Sequence, residues 1–159
     1  SITAQQRELA AQVRAVSREA FGEDAMQTAK GEKVAVLALG DEVVAYASYV
    51  ARPQLSSLNI NKLAVSGARR RQGLGRCLLR HLIQLGKRPA PKSGRGGAGG
   101  KGPQPLEVLC LSALPTAISF YKACGFREEA GVKLPDDDGD ELVEGQVYME
   151  YRLRRRRVK

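Results

Sequence analysis

The segment best suited to chemistry is a basic loop with two glycines, which follows an apolar run near the middle of the chain. The apolar run is Leu63, Ala64 and Val65, and the loop consists of Arg70, Arg71, Gln72, Gly73, Leu74, Gly75 and Arg76. Glycine lets the backbone turn and come close to a ligand. Free N–H groups at the start of a helix, together with the helix dipole, attract an anion. The segment therefore predicts a site for a phosphate or pyrophosphate group.

Two common phosphate-binding motifs do not fit the spacing of the glycines. A dinucleotide fingerprint needs a third glycine three residues after Gly75, and this chain has Leu78 there. A P-loop needs G-x-x-x-x-G-K-[ST], for which the nearest candidate is Gly100-Lys101. That candidate has Arg95 in place of the first glycine and Gly102 in place of Ser or Thr. The sequence therefore excludes both motifs.

The elements around the loop follow from apolar periodicity and from turn residues. Thr3 and Gln6 have the spacing of a capping box, and apolar residues at helical spacing predict a helix over residues 4–20. The other predicted elements are strands over residues 34–39, 43–51, 58–65, 106–111 and 146–153, a short strand from Phe126, and helices over residues 74–85 and 115–124. This order predicts an α/β fold of the α+β type, a single mixed sheet flanked by helices, with strand 58–65 in a central place.

Two short segments together resemble the signatures of one family. Arg70-x-x-Gly73-x-Gly75 resembles the [QR]-x-x-G-x-[GA] acetyl-CoA signature of the GNAT N-acetyltransferases, and residues 117–126 look like the second signature, A-x-x-F-Y-x-x-x-G-F. The two occur in the expected order, each on the expected element, and the resemblance spans most of residues 4–153. It implies one GNAT domain over residues 1–159, with a mixed, mostly antiparallel sheet of about six strands.

The resemblance also implies a reaction and a set of roles. The reaction is transfer of the acetyl group of acetyl-CoA to a primary amine by direct attack in a ternary complex. N–H groups of residues 71–76 would hold the pyrophosphate, and residues 63–65 would pair with the pantetheine arm and polarise the thioester carbonyl. Ala117 would also contact the cofactor. Tyr121 would lie near the sulfur and protonate the leaving thiolate, which suits a phenol with a pKa of about 10.

Two departures from the family pattern affect the expected mechanism. Leu114 stands where members of the family often have an asparagine that contacts the cofactor, and residues 58–65 contain no acid that could serve as a general base. The amine is therefore expected to lose its proton to water. Asn61, Tyr46 and Ser112 are the candidates to order that water. The acceptor stays open between a protein amine, either a lysine or an N-terminus, and a small polyamine-like amine.

The charge of the chain is uneven and leaves a second function open. The net charge is +9, residues 43–106 contain twelve bases and no acid, residues 136–144 contain six acids, and residues 152–159 contain six bases. Residues 89–105 are rich in Gly, Pro and Lys or Arg, which predicts a flexible insert. A basic insert and tail attract an anionic partner. The alternative function is therefore an inactive GNAT-fold module that binds nucleic acid or the ribosome.

The remaining composition favours a protein of a reducing compartment, with the cytoplasm as the expected location and the nucleus or an organelle left open. The three cysteines have no C-x-x-C spacing, which argues against a disulfide framework and against a structural zinc site, so no metal site is predicted. Cys110 and Cys124 are expected to be buried, and the single histidine, His81, to be exposed. Residues 1–5 do not read as a signal peptide. No run approaches the roughly 20 apolar residues of a membrane span.

Overall fold

The computed structural model describes residues 3–22, 30–88, 105–129 and 145–153. Its helices and strands are α1 Ala4–Phe21, β1 Lys33–Leu39, β2 Glu42–Arg52, β3 Ser57–Val65, α2 Leu74–Lys87, β4 Val108–Ala113, α3 Ile118–Ala123, β5 Arg127–Glu128 and β6 Val147–Arg152. The strands form one six-stranded mixed sheet in the order β1-β2-β3-β4-β6-β5. The predicted fold class is confirmed, and β3 has the predicted central place.

The contacts of the chain define two compact units. The first contains residues 1–51 and 60–82, and the second contains residues 52–59 and 83–159. The first unit holds α1, β1, all of β2 except Arg52, and most of β3, and the second holds β4, α3, β5 and β6. α2 begins in the first unit and ends in the second.

In the first unit, α1 packs on the hairpin of β1 and β2. The predicted capping box is present, because Gln6 N donates to Thr3 Oγ1 and Thr3 N donates to Gln6 Oε1. At the other end, Gly22 closes the helix with a left-handed φ of 71°. The buried residues of this core are Val13, Val16, Val43, Tyr46 and Ala64. The apolar face of α1 therefore explains the position of the helix.

In the second unit, β4 and β6 pair antiparallel along their whole length, from Val108 opposite Arg152 to Ala113 opposite Val147. Side chains alternate between the two faces of such a pair. One face buries Leu109 and Met149, both 0% exposed. The short strand β5 pairs with β6 on its other side, also antiparallel. β4 lies two residues later than predicted, and the predicted helix from Pro115 begins with a short 3-10 turn, Pro115–Ala117, before α3.

Three predicted segments lie wholly or mostly outside the described residues. They are the insert, of which residues 89–104 are outside, the acidic segment 136–144, and residues 154–159 of the basic tail. Their boundaries stay predictions. Within the described residues, no group of three or more His, Cys, Asp or Glu side chains is placed to hold a metal ion. No helix in the described ranges combines the length and the apolar character needed to cross a membrane.

The burial of three side chains bears on the predictions. Cys110 is buried and His81 is exposed, as predicted. Cys124 is only half-buried, so the prediction that it is buried was wrong. The residue lies at the C-cap of α3, where the chain turns back toward the surface at Gly125, which has a φ of 96°.

Candidate functional site

The basic glycine loop connects the end of β3 to the start of α2 in the first unit. After Val65, Ser66 N donates to Val44 O at 2.9 Å, and a single 3-10 turn covers Gly67–Arg69. The next residues do not continue this turn, because Arg71 has a φ of 63° and Gly73 a φ of 76°. Two left-handed residues separated by one position reverse the chain and lead it into α2.

Arg71 is the unusual member of this pair. Glycine adopts a positive φ at no steric cost, but an arginine rarely does. Left-handed backbone at a residue other than glycine costs on the order of 1–3 kcal/mol and is concentrated at functional sites. A Cβ added to Gly73 would meet no atom within 4 Å. The φ of Gly73 therefore favours glycine at that position, while the space beside it stays open to a ligand.

Three exposed bases lie at or just before the start of α2. Arg70, Arg71 and Arg76 are exposed, and none of them pairs with an acid of the described residues. The first turn of α2 contains no acidic residue. Bases at the positive end of a helix dipole are unfavourable by a few tenths of a kcal/mol or more. An anion bound at this end would offset that cost.

The remaining predicted residues of the loop and of β3 differ in exposure. Gln72 is exposed, Leu74 is half-buried, and Gly75 is buried as the second residue of α2. In β3, Leu63 and Val65 are half-buried, while Ala64 is 5% exposed and packs in the core beside α1. The side chain of Ala64 is therefore part of the core and is not available to a ligand.

Tyr121 lies in the second unit, on α3. Its side chain is 8% exposed, and its ring makes edge contacts with Phe120 at 5.1 Å and with Phe126 at 5.6 Å between ring centroids. Burial, with a smaller contribution from Cys124, raises the pKa of Tyr121 to about 12. The hydroxyl therefore keeps its proton throughout the physiological range. Ala117, the other predicted contact on this signature, is half-buried at the end of the 3-10 turn.

The three candidates to order a water molecule are in different environments. Tyr46 is 0% exposed, and its hydroxyl donates to Ser17 Oγ at 2.8 Å in the core of the first unit. This burial removes Tyr46 from the candidates. The side-chain amide of Asn61 donates to Glu32 Oε1 at 2.8 Å in an exposed position. Ser112 is half-buried on β4.

The sequence analysis did not identify a polar cluster on β4 and β6. Tyr148 donates to Glu150 Oε1 at 3.0 Å, and Arg152 Nη2 lies 3.0 Å from Glu150 Oε2. Glu150 stands opposite Cys110 in the β4–β6 register. Desolvation and the neighbours Cys110 and Glu150 raise the pKa of Tyr148 well above its ordinary range. The alternation of polar Tyr148, Glu150 and Arg152 with apolar residues was the signal that could have indicated this face.

Comparisons with known proteins agree with this fold. A family model described as an acetyltransferase (GNAT) domain matches residues 30–128. No curated protein matches the chain. Among solved structures, GCN5 of Tetrahymena superposes with a TM-score of 0.70 at 16% identity, covering 96% of this chain and 91% of that one. The ribosomal-protein-S18-alanine N-acetyltransferase of Escherichia coli superposes with a TM-score of 0.58 at 21% identity, covering 96% and 91%.

A third similar structure is an aminoglycoside 6'-N-acetyltransferase complexed with coenzyme A. Its TM-score is 0.60 at 13% identity, and the match covers 92% of this chain and 91% of that one. At such identities the likeness shows the fold alone. The family model carries the assignment, because it matches well over half of the chain. The chain belongs to the GNAT acetyltransferase family, as its two signatures indicate.

Proposed function

We propose that the protein transfers the acetyl group of acetyl-CoA to a primary amine, by direct attack of the amine in a ternary complex. The observation that carries this proposal is the loop before α2. Its left-handed residues Arg71 and Gly73 lead into a helix start that is rich in exposed bases and has no acid in its first turn. These features fit the pyrophosphate of coenzyme A, and family membership supports acetyl transfer as the type of reaction.

In this proposal, the backbone N–H groups of residues 71–76 hold the pyrophosphate. Arg70, Arg71 and Arg76 add positive charge around it, and the phosphate charge offsets their mutual repulsion. The backbone of β3 at residues 63–65 pairs with the pantetheine arm, with one N–H directed at the thioester carbonyl. A donor placed where negative charge develops lowers the barrier most, because it needs no reorganisation during the reaction.

The raised pKa of Tyr121 refines the role proposed for this residue. A thiol has an ordinary pKa of about 8.5, well below the value of about 12 that burial gives the phenol. Complete proton transfer from Tyr121 to the leaving thiolate would therefore run uphill. A hydrogen bond from the phenol to the sulfur, followed by protonation from solvent, suits these values better.

The amine must lose its proton before it attacks. Because β3 contains no acid, water accepts this proton in the proposal, and Asn61 and Ser112 stay as candidates to order it. When acetyl-CoA is bound, it supplies the activated acyl group, and the chain supplies orientation and carbonyl polarisation. Bringing amine and thioester together accounts for a large part of such a rate increase. The acceptor class stays open between a protein lysine, an N-terminus and a polyamine-like amine.

Calorimetric titration with acetyl-CoA tests the cofactor site. Gly75 is buried in α2, so a substitution there endangers the fold, and Gly73 is the better position to change. Gly73→Asp adds a negative charge to the open side of the loop, and Gly73→Asn is its uncharged match. Aspartate and asparagine both tolerate a left-handed backbone better than most residues do. Binding by wild type that survives in Gly73→Asn and is lost in Gly73→Asp supports the proposal.

Turnover is then measured as free-thiol release with a panel of amines. Saturable release with any amine supports an acetyltransferase, and Tyr121→Phe is expected to lower kcat with little change in the Kd of acetyl-CoA. A folded wild type that binds no acetyl-CoA contradicts the proposal. In that case, RNA binding that weakens steeply as salt is raised would favour the alternative, a nucleic-acid-binding module.

A further inference from the structure

Two carboxylates hold the chain immediately before the basic glycine loop. Glu19 lies in the last turn of α1, and both of its oxygens accept the N–H of Gly67, at 3.1 and 3.2 Å. A Cβ added to Gly67 would overlap Glu19 Oε1. The glycine at this position therefore lets the carboxylate reach the backbone, and α1 is joined to the start of the turn.

The second carboxylate acts two residues further along. Arg69 donates through Nε to Glu42 Oε1 at 3.4 Å and through Nη2 to Glu42 Oε2 at 2.6 Å. The pair raises the pKa of the Arg69 guanidinium and lowers the pKa of the Glu42 carboxyl. Arg69 is thus engaged by the first residue of β2, whereas Arg70 and Arg71 beside it carry no such pair within the described part of the chain.

The charge of Glu19 is unfavourable if it is judged by electrostatics alone. An acid near the C-terminal end of a helix opposes the helix dipole, and Glu19 is such an acid. Both carboxylates also bring negative charge to the chain beside a loop that is suited to an anion. Their charge does not help a phosphate to bind. Their hydrogen bonds, in contrast, hold residues 67 and 69 in place, and so they determine the position of the loop formed by residues 70–76.

We propose that Glu19 and Glu42 are positioning residues of the cofactor loop, which act on acetyl-CoA only through Gly67 and Arg69. The inference rests on the proposed function, because it assumes that the loop binds the phosphates of acetyl-CoA. It assigns Arg69 to the support of the loop and not to phosphate binding. The two effects predict opposite changes in the affinity for acetyl-CoA. Removal of an acid should tighten acetyl-CoA binding if its charge matters most, and weaken binding if its hydrogen bonds matter most.

The experiment compares Glu19→Ala with Glu19→Gln by calorimetry with acetyl-CoA. Glu19→Ala removes the acceptor and the charge, and we expect binding to weaken about five- to tenfold, the effect of one hydrogen bond. Glu19→Gln removes the charge but keeps an acceptor oxygen, and we expect wild-type or tighter binding. Glu8→Ala is the matched control, because Glu8 is an exposed acid on the same helix, and its side chain bonds to no described residue except Gln12 of that helix.

The role of Glu42 is tested by exchanging the charges of Glu42 and Arg69. Glu42→Arg and Arg69→Glu are each expected to weaken binding, and the double variant, which restores a pair of opposite charges, is expected to regain most of the affinity. In steady-state kinetics, Glu19→Ala should raise the KM for acetyl-CoA and leave kcat and the KM for the amine unchanged, because only uniform cofactor binding is lost. A purely structural role would lower the fraction of active enzyme and leave both KM values unchanged.

The outcomes separate the two proposals. A wild type that does not bind acetyl-CoA contradicts the proposed function itself. A wild type that binds, together with Glu19→Ala of equal or higher affinity, overturns the positioning role and leaves the function standing. If Glu19→Ala does not fold, Glu19→Gln and the charge swap decide the question, and failure of the swap to restore binding counts against the proposal.

Discussion

The hydroxyl of Tyr46 on β2 donates a hydrogen bond to Ser17 Oγ on α1 at 2.8 Å, and both residues are 0% exposed. The two residues are 29 positions apart in the chain. A buried hydroxyl without a partner costs about 1–3 kcal/mol. This buried contact therefore links α1 to β2 in the first unit, beside the hydrogen bonds that Gln12 of α1 makes with Asp41 O and Val43 N.

Tyr46→Phe is expected to destabilise the protein by about 1–3 kcal/mol, because it leaves Ser17 Oγ without its donor in the core. The double variant Tyr46→Phe, Ser17→Ala removes both groups and is expected to recover part of the loss. Urea unfolding of the wild type, both single variants and the double variant measures the coupling. A double variant that loses the sum of the single effects would show that the two hydroxyls are not coupled.

The stability of the second unit should fall at high pH through Tyr121. Burial raises the pKa of this residue from 10 to about 12 in the folded chain. The folded state therefore holds the phenolic proton more tightly than the unfolded state does. The stabilisation is complete below pH 10 and is lost as the pH rises from 10 toward 12.

Comparison of wild type with Tyr121→Phe isolates this contribution. The variant keeps the ring contacts but cannot ionise, so its stability should fall less steeply between pH 10 and 12. The difference is read from urea unfolding at several pH values. Equal slopes for the two proteins would show that Tyr121 is not buried as described.

The sequence predicted elements well wherever one face of an element is buried. α1 shows this, because Leu9, Val13 and Val16 repeat at helical spacing and Thr3 and Gln6 mark the start. The glycine loop was predicted from its residue types, but its conformation was not. No pattern in the sequence indicates that Arg71 adopts a left-handed φ, because that depends on how the chain is held on either side.

Contacts between segments that are distant in the chain could not be predicted from the sequence. Glu19 on α1 and Gly67 are 48 residues apart, and their hydrogen bonds exist only because the fold brings them together. The prediction for Tyr46 failed for the same reason. Tyr46 was predicted as a candidate to order water, but α1 covers it and supplies Ser17 as its partner.

Arg71→Gly tests whether the arginine at this left-handed position lowers the stability of the protein while it strengthens acetyl-CoA binding. Glycine relieves a left-handed residue of about 1–3 kcal/mol of strain, and its greater freedom in the unfolded chain costs about 0.5–1 kcal/mol. The net expectation is unchanged or slightly higher stability. The Kd for acetyl-CoA should rise, because one exposed base is lost. Thermal unfolding and calorimetry measure the two effects. Lower stability of Arg71→Gly would show that the arginine side chain supports the loop.

The thiols should differ in reactivity. Cys77 is exposed on α2, while Cys110 is buried. Burial raises the pKa of the Cys110 thiol, so little reactive thiolate is present at neutral pH. An aromatic disulfide reagent should modify Cys77 within seconds to minutes and Cys110 only after unfolding in urea. The double variant Cys77→Ser, Cys124→Ser is the control, because Cys124 is half-buried, and it should remove the fast phase. A fast phase that persists in this variant and maps to Cys110 would contradict the burial.

Gly86, near the end of α2, should not tolerate a larger residue despite its place in a helix. Alanine is the better helix former by about 1 kcal/mol. A Cβ at this position, however, would lie 2.8 Å from Leu109 Cδ1 and 2.9 Å from Leu153 Cδ1. Both leucines are buried, and Leu109 is 0% exposed. Overpacking of this kind costs about 1–3 kcal/mol, so Gly86→Ala is expected to lower the free energy of unfolding.

Leu153→Val provides the matched test of this steric argument. By itself it removes one buried methylene and should destabilise the second unit by about 1 kcal/mol. Combined with Gly86→Ala, it makes room for the new methyl group, so the double variant should lose less than the two single variants lose together. Urea unfolding measures all three. If Gly86→Ala is more stable than the wild type, helix propensity outweighs the contact, and the glycine is not required for the packing of α2 on Leu109 and Leu153.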